Sequence, residues 1–207
     1  MARINVNPNR MELSKLKKRL AVAKRGHKLL KDKQDALIKA FLERARAGKE
    51  LRERVEAELQ ECYGTFALSR AQTTPEILEQ ALIFPGARCT LSVDWHNVMS
   101  VMVPQYDVKQ EGNPVNYGFV SVPLLLDVAL EQFSKLILRL LELAAEEKAI
   151  RLMAGEIERT RRRVNALEYV MIPNLQETIR YISMKLDEQE RSTLSRLMKI
   201  KEIVRSA

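Results

Sequence analysis

Two helical stripes, one near each end, restrict what this chain can fold into. The leading stripe is Leu13, Leu16, Leu20, Ala23, Leu30, Leu37, Phe41, Leu51 and Val55, and the trailing one is Val164, Leu167, Met171, Leu175, Ile179, Ile182, Leu186, Leu197, Ile200 and Val204. Apolar residues three and four apart mark one face of a helix. A face this narrow, kept up for many turns, needs a partner helix along its whole length rather than a globular core. The other end of the same chain is the nearest partner. The expected fold is mainly α, a long antiparallel two-helix coiled coil of the N- and C-terminal helices with a small β-hairpin region between them. Such a chain is a rod, which points to mechanical or scaffolding work.

Composition agrees. The 207 residues contain only 7 Gly, 7 Pro and 5% aromatics against 30% charged residues, a balance suited to long helices and not to a layered α/β enzyme. No apolar run is long enough to span a bilayer, and the start, with Arg3, Asn5 and Asn7, has no signal-peptide core. Cys62 and Cys89 lack the paired spacing of a metal or redox motif, so reduced thiols in a cytosolic protein are expected. The net charge of +8 is uneven: residues 1–33 hold eleven Lys or Arg against Glu12 and Asp32, and residues 151–207 hold twelve against eight acids. If the ends pair, both basic segments fall together, and that end should seek an acidic surface.

The first helix is expected from a cap at Asn9, after Pro8, to about Ala71, with Glu12 placed for a capping box. That is roughly 60 residues, on the order of 90 Å at 1.5 Å per residue. His27 and Gln34 put polar groups in the stripe, where they can fix register, and the pattern loosens at Arg44 and Gly48. Pro75 to Ile83 suits a short helix. Cys89, Leu91, Val93 and Trp95, then Met99, Val101 and Val103, alternate on either side of His96 and Asn97, which reads as a hairpin turning there. Gly112, Asn113 and Pro114 mark a loop, and Tyr117 to Val122 is expected to be extended. The second helix starts near Pro123, is broadly apolar from Leu124 to Leu143, and continues to about Val204 with a bend at Pro173. The segments are thus 1–72, an N-terminal coiled-coil helix; 73–122, a short helix and hairpin; and 123–207, a C-terminal coiled-coil helix.

No catalytic constellation is legible. Gly48-Lys49 lacks the upstream glycine spacing of a phosphate loop, and no His-x-x-x-His or Cys-x-x-Cys occurs, so no catalytic residue, cofactor or metal site is assigned. His27 reads as a polar core residue and His96 as a turn residue. Arg161, Arg162 and Arg163 spread around a helix by about 100° each, so they form either a solvated face, with Glu158 four residues before Arg162, or an electrostatic collar.

Two stretches carry a family resemblance. NPNRMELSKLKKRLAVAKRGHKLLKDKQDAL, from Asn7 to Leu37, and GEIERTRRRVNALEYVMIPNLQETIRYISMKLDEQER, from Gly155 to Arg191, resemble the D subunit of V-type and A-type rotary ATPases, the central shaft of the rotor. Arg10-Met11, the run Arg25 to Lys31 and the run Arg161 to Glu168 are the most specific strings; Asn9 stands where the family usually has Thr, and both residues cap helices. The resemblance implies a non-catalytic subunit of a proton- or sodium-translocating ATPase, cytoplasmic and peripheral on the membrane, without membrane insertion. The paired termini would turn inside the ring of catalytic and regulatory (A/B-type) subunits, coupling ATP hydrolysis or synthesis to rotation and ion transport. The other end would bind the small F subunit of the central stalk and seat in the funnel-shaped C/d subunit above the membrane ring. It also makes the basic residues Arg10, Lys17, Lys18, Arg25, Arg161, Arg162 and Arg163 candidates for contact with the ring, while the spacing of the stripes makes Leu13, Leu16, Leu20, Leu30, Leu37, Val164, Leu167, Leu175, Ile179, Ile182 and Leu186 the coil's core. Two rivals fit the pattern less well. A prefoldin-like chaperone would keep apolar rather than basic helix tips. A nucleic-acid-binding coil would interleave aromatics with Lys and Arg, and none occurs before Phe41.

Overall fold

The computed structural model describes residues 5–118 and 122–206. In order, the elements are α1 (Arg10–Ala71), α2 (Pro75–Leu82), β1 (Ala87–Val98), β2 (Val101–Gly112), α3 (Leu124–Asn165), a π-helical segment (Ala166–Met171) and α4 (Ile172–Ser206). The fold is mainly α, with the long N- and C-terminal helices packed antiparallel and a two-stranded β-hairpin between them in sequence.

Local chemistry sets the boundaries. The Met11 amide donates to Asn9 Oδ1 at 3.0 Å and the Leu13 amide to the Asn9 carbonyl at 2.9 Å, so Asn9 caps α1. Glu12 does not close the expected capping box; its carboxylate accepts from Lys15 Nζ at 2.7 Å. Pro75 opens α2 at its first turn, where a missing amide hydrogen costs nothing. Within the C-terminal helix, Pro173 can donate no hydrogen bond, and its ring would press on the carbonyl four residues back. The chain meets this by widening: residues 166–171 form a π-helix, and the Ile172 amide reaches back five residues to the Leu167 carbonyl.

The chain divides into two compact units, Met1–Ala36 with Ile157–Ala207, and Leu37–Glu156. In the first, Leu16, Leu175 and Ile182 form a buried cluster, with Leu13, Leu20, Ala23, Ile179, Tyr181 and Leu186 half-buried against it. Arg10 pairs with Glu190, and His27 Nε2 lies 3.3 Å from Glu168, so one helix number falls as the other rises and the register is antiparallel. Val164 is also buried, whereas Leu30 and Leu167 are only half-buried. The trailing stripe stops short of the expected length. Glu190 already faces Arg10, the first residue of α1, so the later turns of α4 pass beyond the start of their partner, and Leu197, Ile200 and Val204 are exposed rather than in the seam. Met171, within the π-helix, is exposed as well.

In the second unit, Val55, Cys62, Leu136 and Leu143 form the buried cluster between α1 and α3, flanked by Leu51, Leu59 and Phe133. Tyr63 and Phe66 meet Phe133 edge-on at centroid distances of 5.8 and 6.4 Å. Leu37 is fully buried too. The weak stretch of the stripe has two compensations. Gly48 is buried where a Cβ would stand 3.0 Å from Ile150 Cδ1, so the missing side chain makes room for Ile150. Arg44 reaches both carboxylate oxygens of Glu146, at 3.1 and 3.2 Å. The wide apolar face of α3 is covered in part by the hairpin and the segment after it: Leu126 and Ala129 are buried, Ser134 accepts from Gln110 on β2, and Asp127 accepts from the Tyr117 hydroxyl. Burial, together with the Asp127 carboxylate, holds the Tyr117 hydroxyl above the ordinary phenol pKa.

The hairpin turns later than expected. His96 and Asn97 belong to β1, opposite Val103 and Met102, and Met99 and Ser100 form the turn, both at positive φ (50° and 71°). The polar pair in the sequence is therefore not the break; the Asn97 side chain instead accepts from the Ser100 amide at 2.8 Å and steadies the turn after it. Tyr117 is a bend and not a strand, and residues 119–121 of the expected extended piece lie outside the described residues.

Candidate functional site: a basic face on the terminal helix pair

All seven cations singled out from the sequence fall in one compact unit. Over Met1–Ala36 and Ile157–Ala207 the sequence holds twenty-two Lys and Arg against ten Asp and Glu, a net +12; over Leu37–Glu156 it holds thirteen against seventeen, a net −4. The chain's positive charge is thus concentrated on the terminal helix pair, where neighbouring low-dielectric surface strengthens its field.

The helical period explains how these side chains are presented. Thr160 and Val164 are buried, four residues apart, and the three arginines between them take the remaining directions, all exposed. Arg162 is tied to Glu158 one turn earlier, and Arg10 to Glu190 across the pair. Arg25 Nε reaches the Ala21 carbonyl at 3.5 Å, which leaves its charge uncompensated. Lys17, Lys18, Arg161 and Arg163 form no ion pair among the described residues. Exposed pairs of this kind contribute little to stability, and unpaired cations contribute less.

Three features are not legible in the sequence. Val22, Tyr169 and Val170 are 63%, 70% and 55% exposed on the same unit, off the apolar stripe, and their only signal was their position outside its spacing. The π-helix was foreshadowed by Pro173 alone. His27 does contact the opposite strand, at Glu168, and so ties α1 to the π-helix. Among the described residues no group of three or more His, Cys, Asp or Glu side chains is placed to hold a metal ion, and no helix is long and apolar enough to cross a membrane.

The family model for the ATP synthase D subunit matches residues 12–202, which takes in the leading stripe, the hairpin and the trailing stripe as far as Ile200. The chain belongs to the ATP synthase D-subunit family. It is 52% identical over 206 residues to the V-type ATP synthase D subunit of Thermoanaerobacter sp. (strain X514), covering 99% of both chains. Against the V-type ATP synthase D subunit of Clostridium botulinum (strain Langeland / NCTC 10281 / Type F) the identity is 52% over 207 residues, 98% of this chain and 96% of the relative. The match reaches well beyond the two terminal stretches that carry the resemblance and includes the middle, where no diagnostic string is legible.

Proposed function

We propose that this chain is the central rotor shaft of a V/A-type ATPase, a non-catalytic subunit that couples ATP hydrolysis or synthesis in a catalytic ring to rotation and to proton or sodium translocation. Membership of the D-subunit family is the observation that carries this reading, and it favours a shaft over a chaperone or a nucleic-acid-binding coil. The mechanics are consistent with it. A shaft must carry torque without its helices sliding, and the buried clusters around Ile182 and around Leu136 resist sliding because interdigitated side chains cannot shift without opening voids. The helix segments 1–72 and 123–207 are the shaft in this reading, and 73–122 carries the short helix and hairpin. The basic face, Arg10, Lys17, Lys18, Arg25 and Arg161 to Arg163, meets acidic groups of the A/B-type ring. The hairpin portion serves the F subunit and the funnel-shaped C/d subunit, and the assembly is cytoplasmic and peripheral on the membrane. Rotation of an asymmetric shaft gives each site around it a different face, so the sites cannot share one conformation.

Co-expression of the chain with the ring subunits of the same complex should yield a particle with one copy per three catalytic subunits. A disulfide engineered between shaft and ring should stop multi-turnover ATP hydrolysis, and reduction should restore it. Full hydrolysis while the cross-link is intact would overturn the shaft reading.

A further inference from the structure

The terminal helix pair carries a groove of about 680 Å³ beside the π-helix. Its floor is apolar, with Val22 and Ala23 from α1 facing Leu167, Val170 and Met171, and Lys18 and Arg19 stand on its rim. Three costs meet there. Gly26, on the α1 wall, sits inside a 62-residue helix although glycine is among the poorest helix formers, and a Cβ at that position would meet nothing within 4 Å. No internal packing therefore requires a glycine, unlike the case of Gly48. Opposite it, the chain adopts a π-helix, a form that recurs at functional sites. Val22, Val170 and Met171 are all more than half exposed, an apolar surface left to water.

We infer that this groove is a docking site for an apolar segment flanked by carboxylates, presented by a partner subunit. The inference rests on the shaft reading and names where on the shaft one such contact falls. Charge complementarity selects the occupant: the unit carries a net +12, and Lys18 and Arg19 make no ion pair among the described residues. An uncharged apolar segment would leave those cations unanswered, and a second copy of this basic chain would be repelled. Gly26 keeps the groove open for the arriving side chains.

The test titrates the full-length chain against the purified ring of catalytic and regulatory subunits at low salt. Gly26→Leu fills the groove, and Val170→Asp puts a negative charge at an exposed position where folding is not at stake. Gly64→Leu is the control, since Gly64 lies on α1 in the other unit and its Cβ would also meet nothing. Both groove variants should bind the ring at least tenfold more weakly than the parent, and Gly64→Leu should bind like it. If the parent binds and both groove variants bind as tightly, the groove proposal falls while the shaft reading stands. If the parent itself fails to bind, the shaft reading falls and the groove with it. Concentration-dependent dimerisation of the parent in sedimentation runs, abolished by Gly26→Leu, would reassign the groove to a second copy and overturn the stated occupant.

Discussion

Ile182 and Leu194, isomeric side chains of equal size, lie on the same helix about three turns apart in contrasting surroundings. Ile182 is fully buried against Leu16 and Leu175, whereas Leu194 is 55% exposed, past the point where Glu190 meets the start of α1. Truncating a fully enclosed side chain removes its transfer free energy and leaves a cavity, so Ile182→Ala should cost about 2–5 kcal/mol. Leu194→Ala removes an apolar group already in water, and its effect should stay within about 0.5 kcal/mol. Chemical denaturation followed by circular dichroism separates the two. Equal losses would mean that the last turns of α4 are held as firmly as the seam, contrary to their exposure. The two cysteines show the same contrast in chemistry: Cys62 is buried with its thiol pKa raised, first by burial and then by Glu61, while Cys89 is exposed on β1.

At the scale of elements, the hairpin holds its turn at a cost. A two-residue turn with both central residues at positive φ suits Asn-Gly, and this chain places Met99 and Ser100 there. Each L-residue in that region is disfavoured by roughly 1–2 kcal/mol, with some relief where the Asn97 side chain caps the Ser100 amide. Met99→Asn with Ser100→Gly should therefore stabilise the hairpin by about 1 kcal/mol or more, read as slower amide exchange along β1 and β2. Unchanged exchange would show that neighbouring elements, not the turn, limit opening of the strands. This element also shows what the sequence could and could not reveal. Alternation marked both strands, but it coincides with burial only on β2: Val101 and Val103 are buried, whereas Leu91, Val93 and Trp95 on β1 are exposed. The turn itself carried no Gly, Pro or Asn at its centre, so turn chemistry pointed three residues too early. The long helices were legible because capping at Asn9, Pro75 as a first-turn residue and the three-and-four spacing are local signals. The packing of Gly48 on Ile150 and the π-helix were not, because each depends on how a distant or following residue fits. The basic residues of the candidate site were countable from sequence, but their gathering on one compact unit depended on tertiary structure.

Across the whole molecule, the division of charge has a consequence that no single residue carries. One unit holds a net +12 and the other a net −4, although the chain as a whole is only +8. Association driven by such a field is governed by screening: the Debye length is about 10 Å at 0.1 M salt and about 3 Å at 1 M. Arg161 and Arg163 make no ion pair among the described residues, so reversing them disturbs no intramolecular pair. Arg161→Glu with Arg163→Glu should slow association with an acidic ring by tenfold or more at low salt, and the deficit should shrink towards zero near 1 M. Reversal of Lys148, exposed on the acidic unit, should leave association with the ring nearly unchanged at either salt. The comparison isolates position from net charge, because a long-range attraction summed over the whole chain would respond to both in proportion to the charge removed. A double reversal that slows binding equally at low and high salt would instead mean that the arginines act by close contact, through hydrogen bonds that screening does not reach, and the basic face would then be a set of specific anchors and not a steering field.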